Sequence, residues 1–262
     1  MAGSTMAQSN LDGKIGVALC GGAVLGAAHV GILRAFEERE IHIHCMAGTS
    51  IGALVAALYA FGTAVGEIEA IVSALSWLDV TSFVPSKLGL LSNQKLGDVV
   101  SEVLGDVRIE DSPMPIAFIA ADLRSGEKVL LRRGDVATAV MASACIPGLF
   151  TPVEFGDRLL VDGGIVEIVP ISPLREMGAD YLVGVDLRGE GALAEPQNIV
   201  DVLVDTTNIA IATSKRLQLQ EADLVIAPRL ASYSSLDTDK VAELIRIGYE
   251  AALIAMREVD AL

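Results

Sequence analysis

Residues 46–54 read Met-Ala-Gly-Thr-Ser-Ile-Gly-Ala-Leu, and the stretch Gly48-Thr49-Ser50-Ile51-Gly52 inside them decides how the chain is read. It follows one short apolar run and opens a second, ALVAALYAF, of helical length. A serine with a glycine two residues to either side suits a strand–turn–helix bend so sharp that its hydroxyl stands clear of the sheet. Gly48 and Gly52 lack the Cβ atoms that would collide in such a turn. The helix N-terminus beneath Ser50 favours negative charge that develops there. The plainer alternative makes Ser50 an ordinary N-cap on a strand-to-helix turn.

Outward from this turn, short apolar runs bounded by turn residues recur at 14–19, 43–47, 115–121, 128–131, 158–161, 181–186 and 223–227. Longer amphipathic stretches at 26–39, 51–61, 92–104, 135–144, 198–218 and 238–258 separate them. Such alternation predicts an α/β fold whose mainly parallel sheet is covered on both faces. No internal repeat or low-complexity tract breaks the pattern, and 189–196 reads as a loop. The expected organisation is a loose polar tail over 1–13 and one domain over 14–262. Segment 77–92, with Trp77, Phe83 and Leu88-Gly89-Leu90-Leu91, is the longest without clear structure. It reads either as a lid over an acyl-chain portal or as ordinary packing.

Composition narrows the function. Hydrophobic residues are 52% of the chain and aromatics 4%, so the core must be aliphatic. A net charge of −15, spread along the chain, argues against nucleic acid as a partner. No cluster of four Lys or Arg offers an anchor for anionic lipid, which leaves at most transient peripheral membrane contact through apolar side chains. No apolar run approaches the ~18–20 residues that span a bilayer, and the polar start of the chain has no signal-peptide pattern. Cys20, Cys45 and Cys145 are widely spaced with no C-x-x-C, which fits neither a disulfide framework nor a zinc site. A cytoplasmic location is the expectation, with no metal and no cofactor; a homo-oligomer is left open.

Two further pieces could join Ser50. The first is the glycine loop Cys20-Gly21-Gly22-Ala23-Val24-Leu25-Gly26, between a predicted strand and a helix. As a dinucleotide cradle it should be followed by an acidic residue ~20 positions on, yet no Asp or Glu lies between Glu40 and Glu67. As an oxyanion hole it needs only backbone N–H groups at the carboxyl end of a strand, where α/β sheets bind ligands. The second piece is Asp162-Gly163-Gly164, after the predicted strand 158–161. A nucleophilic serine needs a base, and the three histidines, His29, His42 and His44, all precede Ser50. The α/β-hydrolase order of nucleophile, acid, histidine is therefore impossible. An aspartate at a strand end can approach the serine directly, giving a Ser–Asp dyad; alternatively Asp162 only shapes its own turn. His29 and Cys20 read as structural core residues.

Together these pieces resemble the patatin-like phospholipases, especially compact single-domain bacterial members. The resemblance rests on GGAVLGAAHVG (21–31), GTSIG (48–52) and DGG (162–164), in that order, with ASACIPGLFTPVEF (142–155), 161–187 and DLVIAPRL (223–230) beside them. It covers roughly residues 14–250. It implies a three-layer α/β/α fold like the catalytic domains of patatin and cytosolic phospholipase A2, the FabD/lysophospholipase-like class. It also implies hydrolysis of lipid or other carboxylic esters, of phospholipase A or lysophospholipase type, without a cofactor. By position, Ser50 would be the nucleophile and Asp162 the general base. Gly22 and Ala23, with Gly21, would form the oxyanion hole, supported by Gly26, Gly48, Gly52, Gly163 and Gly164. The sequence departs from the family pattern at Leu25, where Arg or Lys is usual, and at Glu167, where Asn is common. A carboxylate at 167 would raise the pKa of Asp162 if the two were close. Those departures keep alive a second reading, a non-catalytic lipid- or acyl-binding regulator with the same fold.

Overall fold

A computed structural model of the protein describes residues 13–75, 82–83, 88–189, 195–196, 199–234 and 238–260. β1 (Ile15–Leu19) runs through a 3-10 turn (Ala23–Gly26) into α1 (Ala27–Glu38), and β2 (Ile43–Thr49) runs into α2 (Ile51–Ala60) and α3 (Val65–Ala74). A two-residue pair, β3 (Ser82–Phe83) with β4 (Leu91–Ser92), precedes α4 (Gln94–Leu104). β5 (Ile116–Asp122), β6 (Lys128–Leu131), α5 (Val136–Ser143), β7 (Val153–Phe155) and β8 (Arg158–Asp162) follow. The remaining elements are α6 (Ser172–Glu176), β9 (Tyr181–Val185), α7 (Ile199–Leu219), β10 (Leu224–Ile226) and α8 (Val241–Asp260).

The main sheet has the order β10-β9-β1-β2-β5-β8-β7, with β6 also paired to β5. From β10 to β5 every neighbour is parallel; β6, β8 and β7 are antiparallel additions at one side. Every residue of β1 and β5 is buried, so helices cover both faces and the architecture is the expected three-layer α/β/α. The core is aliphatic apart from Phe36, Phe118 and Phe150, all fully buried. All seven predicted strands are present. The sequence reading missed β3, β4, β7, α3 and α6. β7 has three residues and α6 five, with a proline in its first turn, and neither is long enough to display a period. Within segment 77–92 only 82–83 and 88–92 are described, where Leu88 and Leu90 are more than half exposed, and most of the proposed lid lies outside the described residues.

Candidate active site

Strand register brings the two motif residues together. In the parallel β2–β5 ladder Thr49 lies opposite Ile119, which sets the next residue, Ser50, level with Ala120. In the antiparallel β5–β8 ladder Ala120 lies opposite Asp162. Serine and aspartate, 112 positions apart in the chain, therefore reach the same height of the sheet. The Ser50 hydroxyl faces the Asp162 carboxyl closely enough to favour its ionised form.

The turn at Ser50 is as sharp as its glycines suggested. Ser50 has φ 55° and ψ −124°, a conformation that costs a non-glycine residue about 1–3 kcal/mol and persists only where its surroundings enforce it. A Cβ at Gly52 would strike the Leu19 carbonyl, and one at Gly48 would strike the backbone of Gly52 and Ala53. Although Ser50 occupies the N-cap position of α2, its side chain makes no capping hydrogen bond, so the hydroxyl is left to Asp162. Asp162 does shape its own turn, because Oδ1 accepts the Gly164 N–H at 2.7 Å. Shaping its own turn does not keep Asp162 from facing Ser50. Gly163 lies flush against the Ile119 carbonyl, where a Cβ would not fit.

The glycine loop passes over the serine: a Cβ at Gly21 would come within 3.2 Å of the Ser50 Cβ. One member of the expected hole is corrected. The Gly21 N–H donates to the Ile168 carbonyl at 3.3 Å, so it is not free for a substrate oxygen. The N–H groups of Gly22 and Ala23 have no backbone acceptor among the described residues. Ala23 has φ 52°, a second non-glycine residue in the left-handed region beside the first. Gly26 packs against Ile51, which seats the loop on α2.

Ser50, Asp162, Gly21, Gly22, Ala23 and Gly164 line one cavity of about 60 Å³. Ser50 and Asp162 are 6% and 7% exposed, and burial pushes the Asp162 carboxyl up to about 6 against the opposing hydrogen bonds from Gly164 and Ser50. Ala23 also lines a second, apolar cavity of about 40 Å³, walled by Val24, Ile51, Leu54, Ala144 and Phe150.

The two departures resolve differently. Glu167 is buried, and its carboxylate takes Lys128 Nζ at 2.8 Å and both the Oγ and N–H of Ser172 at 3.0 Å. Burial, not Glu167, raises Asp162, and the repulsion envisaged from sequence has no part in it. Leu25 is fully buried, a packing residue with no access to a headgroup. His29 is structural, as expected: its Nε2 donates to the Cys20 carbonyl at 2.9 Å, and burial lowers its pKa to about 4. All three cysteines are free and buried. Sequence reading passed over Ser143, which accepts the Ser50 N–H; its only signal was membership of the 142–155 block.

Residues 17–175, more than half of the chain, match the family model described as patatin-like phospholipase. The chain belongs to the patatin-like phospholipase family. It is 35% identical over 182 residues to an uncharacterized NTE family protein of Mycobacterium tuberculosis, covering 68% of this chain and 50% of the relative. It is 28% identical over 283 residues to patatin-like phospholipase domain-containing protein 7 of Rattus norvegicus, covering 94% of this chain and 21% of that one. The chain thus spans half or less of these curated relatives. Among solved structures, VipD from Legionella pneumophila superposes with a TM-score of 0.62 at 14% identity, over 95% of this chain and 68% of that one. The type III effector ExoU gives a TM-score of 0.53 at 14% identity, over 97% and 54%. These likenesses establish a patatin fold, with the three-layer architecture described above.

Proposed function

We propose that the protein is a serine acyl hydrolase of lipid or related carboxylic esters, acting through a Ser50–Asp162 dyad. The observation that carries this reading is the pairing of Ser50, held in a strained turn, with a buried carboxylate that is raised to about 6 and whose ionised form the Ser50 hydroxyl favours. A base poised near working pH is ionised often enough to accept a proton and acidic enough, once protonated, to return it.

In the first step Ser50 Oγ attacks the ester carbonyl carbon while its proton passes to Asp162. The carbonyl oxygen becomes an oxyanion held by the Gly22 and Ala23 N–H groups. Collapse breaks the ester C–O bond, and protonated Asp162 delivers its proton to the departing alkoxide. Water then attacks the acyl-enzyme, giving its proton to Asp162, and the free acid leaves as Ser50 recovers its hydrogen. The apolar cavity across Ala23 receives the acyl chain, and the cavity holding Ser50 receives the alcohol side. Lipid is thus the partner; contact with a membrane need be no more than transient.

The test is labelling by a fluorophosphonate together with turnover of p-nitrophenyl esters. Ser50 should be the labelled residue, and Ser50→Ala should remove both signals. Labelling elsewhere, or undiminished turnover in Ser50→Ala, would overturn the mechanism. An acyl-binding regulator would bind fatty acid yet give neither signal.

A further inference from the structure

The hydrogen bonds that fix Ser50 and Asp162 from behind converge on one short turn. The Ser50 N–H donates to Ser143 Oγ at 3.0 Å, and the Ser143 hydroxyl donates onward to the Ile119 carbonyl at 2.6 Å. Two residues later, the Cys145 carbonyl accepts the Asp162 N–H at 2.8 Å. The turn itself is held by Ala144 N–H to the Val140 carbonyl and Cys145 N–H to the Ala142 carbonyl, at 3.0 and 3.3 Å. The Cys145 thiol donates to the Thr151 carbonyl at 3.2 Å.

We propose that Ser143–Cys145, at the end of α5, is a bracket that sets the separation of nucleophile and base, with Ser143 as its positioning residue. The inference rests on the hydrolase reading above. Ser143 is wholly buried, so its hydroxyl serves neither solvent nor substrate. It works in both senses at once, accepting from the turn at Ser50 and donating to β5, which only a hydroxyl of this size can do in place. The conformation of Ser50 supplies the need. A residue at φ 55° relaxes unless fixed on more than one side, and relaxation would swing Oγ away from Asp162. With Ser143 gone, the Ser50 N–H would also lose its buried partner.

The cavities sharpen the consequence. Ala144 lines the apolar cavity, Ile146 and Pro147 line the catalytic one, and Ser143 lines neither. Loss of its hydroxyl should therefore damage the chemical step and leave substrate binding alone. Displacing a catalytic group by about 1 Å can cost about 100-fold in rate.

The experiment compares wild type, Ser143→Ala and Ser143→Thr by turnover of a p-nitrophenyl ester and by amide hydrogen exchange read by NMR. Ser143→Ala should lower kcat about 10- to 100-fold with KM within about twofold. Ser143→Thr, which keeps the hydroxyl, should recover most of kcat. In Ser143→Ala the Ser50 amide should exchange at least about tenfold faster, while the Val17 amide in β1 keeps its rate. Unchanged kcat in Ser143→Ala, a rise in KM alone, or unchanged Ser50 exchange would each overturn the bracket. A wild type that turns over no ester refutes the hydrolase reading instead, and the exchange arm then decides the bracket by itself.

Discussion

The ammonium of Lys128 sits 2.8 Å from the carboxylate of Glu167, and the Ser172 hydroxyl and N–H complete that carboxylate's shell. Glu167 is tied into the scaffold, and its main chain contributes too, since its carbonyl accepts the Thr49 hydroxyl at 2.9 Å. Glu167→Asn should therefore leave the acidic limb of the pH–rate profile where it is. It should lower thermal stability by about 2–4 kcal/mol, because Lys128 and Ser172 lose a buried acceptor. A limb shifted by half a pH unit or more would mean that Glu167 does reach Asp162.

The acidic limb itself should fall near pH 6. In the proposed mechanism Asp162 must be ionised to accept the Ser50 proton, and burial raises it to about 6. kcat/KM should rise tenfold per pH unit below that value and flatten above it. His29→Ala should not move the limb, because His29 titrates near 4 and its ring hydrogen-bonds the Cys20 carbonyl rather than Ser50 or Asp162.

Raising that carboxyl also makes it a burden on the fold. From an ordinary 3.8 to about 6, the folded state binds more protons than the unfolded one, so stability declines as pH rises through that window. Above it the deficit is about 3 kcal/mol. Asp162→Asn should be inactive yet more stable than wild type at pH 7, by up to that amount. The gain should vanish below about pH 4 in denaturant titrations. A less stable Asp162→Asn protein at pH 7 would contradict the assignment of burial as the cause.

Leu25 offers a test in the opposite direction. Introducing the family residue by Leu25→Arg would place a guanidinium at a site with no exposure. A loss of about 3 kcal/mol or more is expected, since a charge buried without a partner is among the costliest substitutions. Unfolding curves decide this, and near-wild-type stability would show that the loop can open to solvent.

The thiols should be silent. Burial pushes Cys20 and Cys145 up to about 12 and Cys45 to about 11. At pH 7 the native protein should resist a thiol reagent that modifies all three cysteines after denaturation.

Sequence alone reached the strands, the three motif segments and Ser50 and Asp162 as the residues to watch, because each lies in a local pattern. Ser50 is flagged by the spacing of Gly48 and Gly52, and Asp162 by the turn behind it. What stayed hidden was long-range. Gly21 looked equivalent to Gly22 until its N–H was found on Ile168, 147 positions away. Glu167 looked like a threat to Asp162 because its partner, Lys128, lies 39 positions away on β6. Ser143 stood in the 142–155 block but gave no sign of its role, since a buried serine at a helix end has no spacing that tells whose N–H it accepts. Short elements such as β7 escaped for the related reason that three residues show no period.

The antiparallel seam between β5 and β8 has a consequence for how the protein comes into being. Ser50 takes its sharp turn within the β2–α2 connection and is then fixed by Ser143, whereas Asp162 arrives only when β8 docks against β5 in the register that pairs Ala120 with Asp162. A slip of one residue would turn every side chain of β8 to the opposite face. Pairings between distant segments form late, because the loop between them must close first. If the proposed dyad acts, turnover is a clock for the final stage of folding. During refolding, helical signal should return before esterase activity, and the interval between them measures the docking of β8.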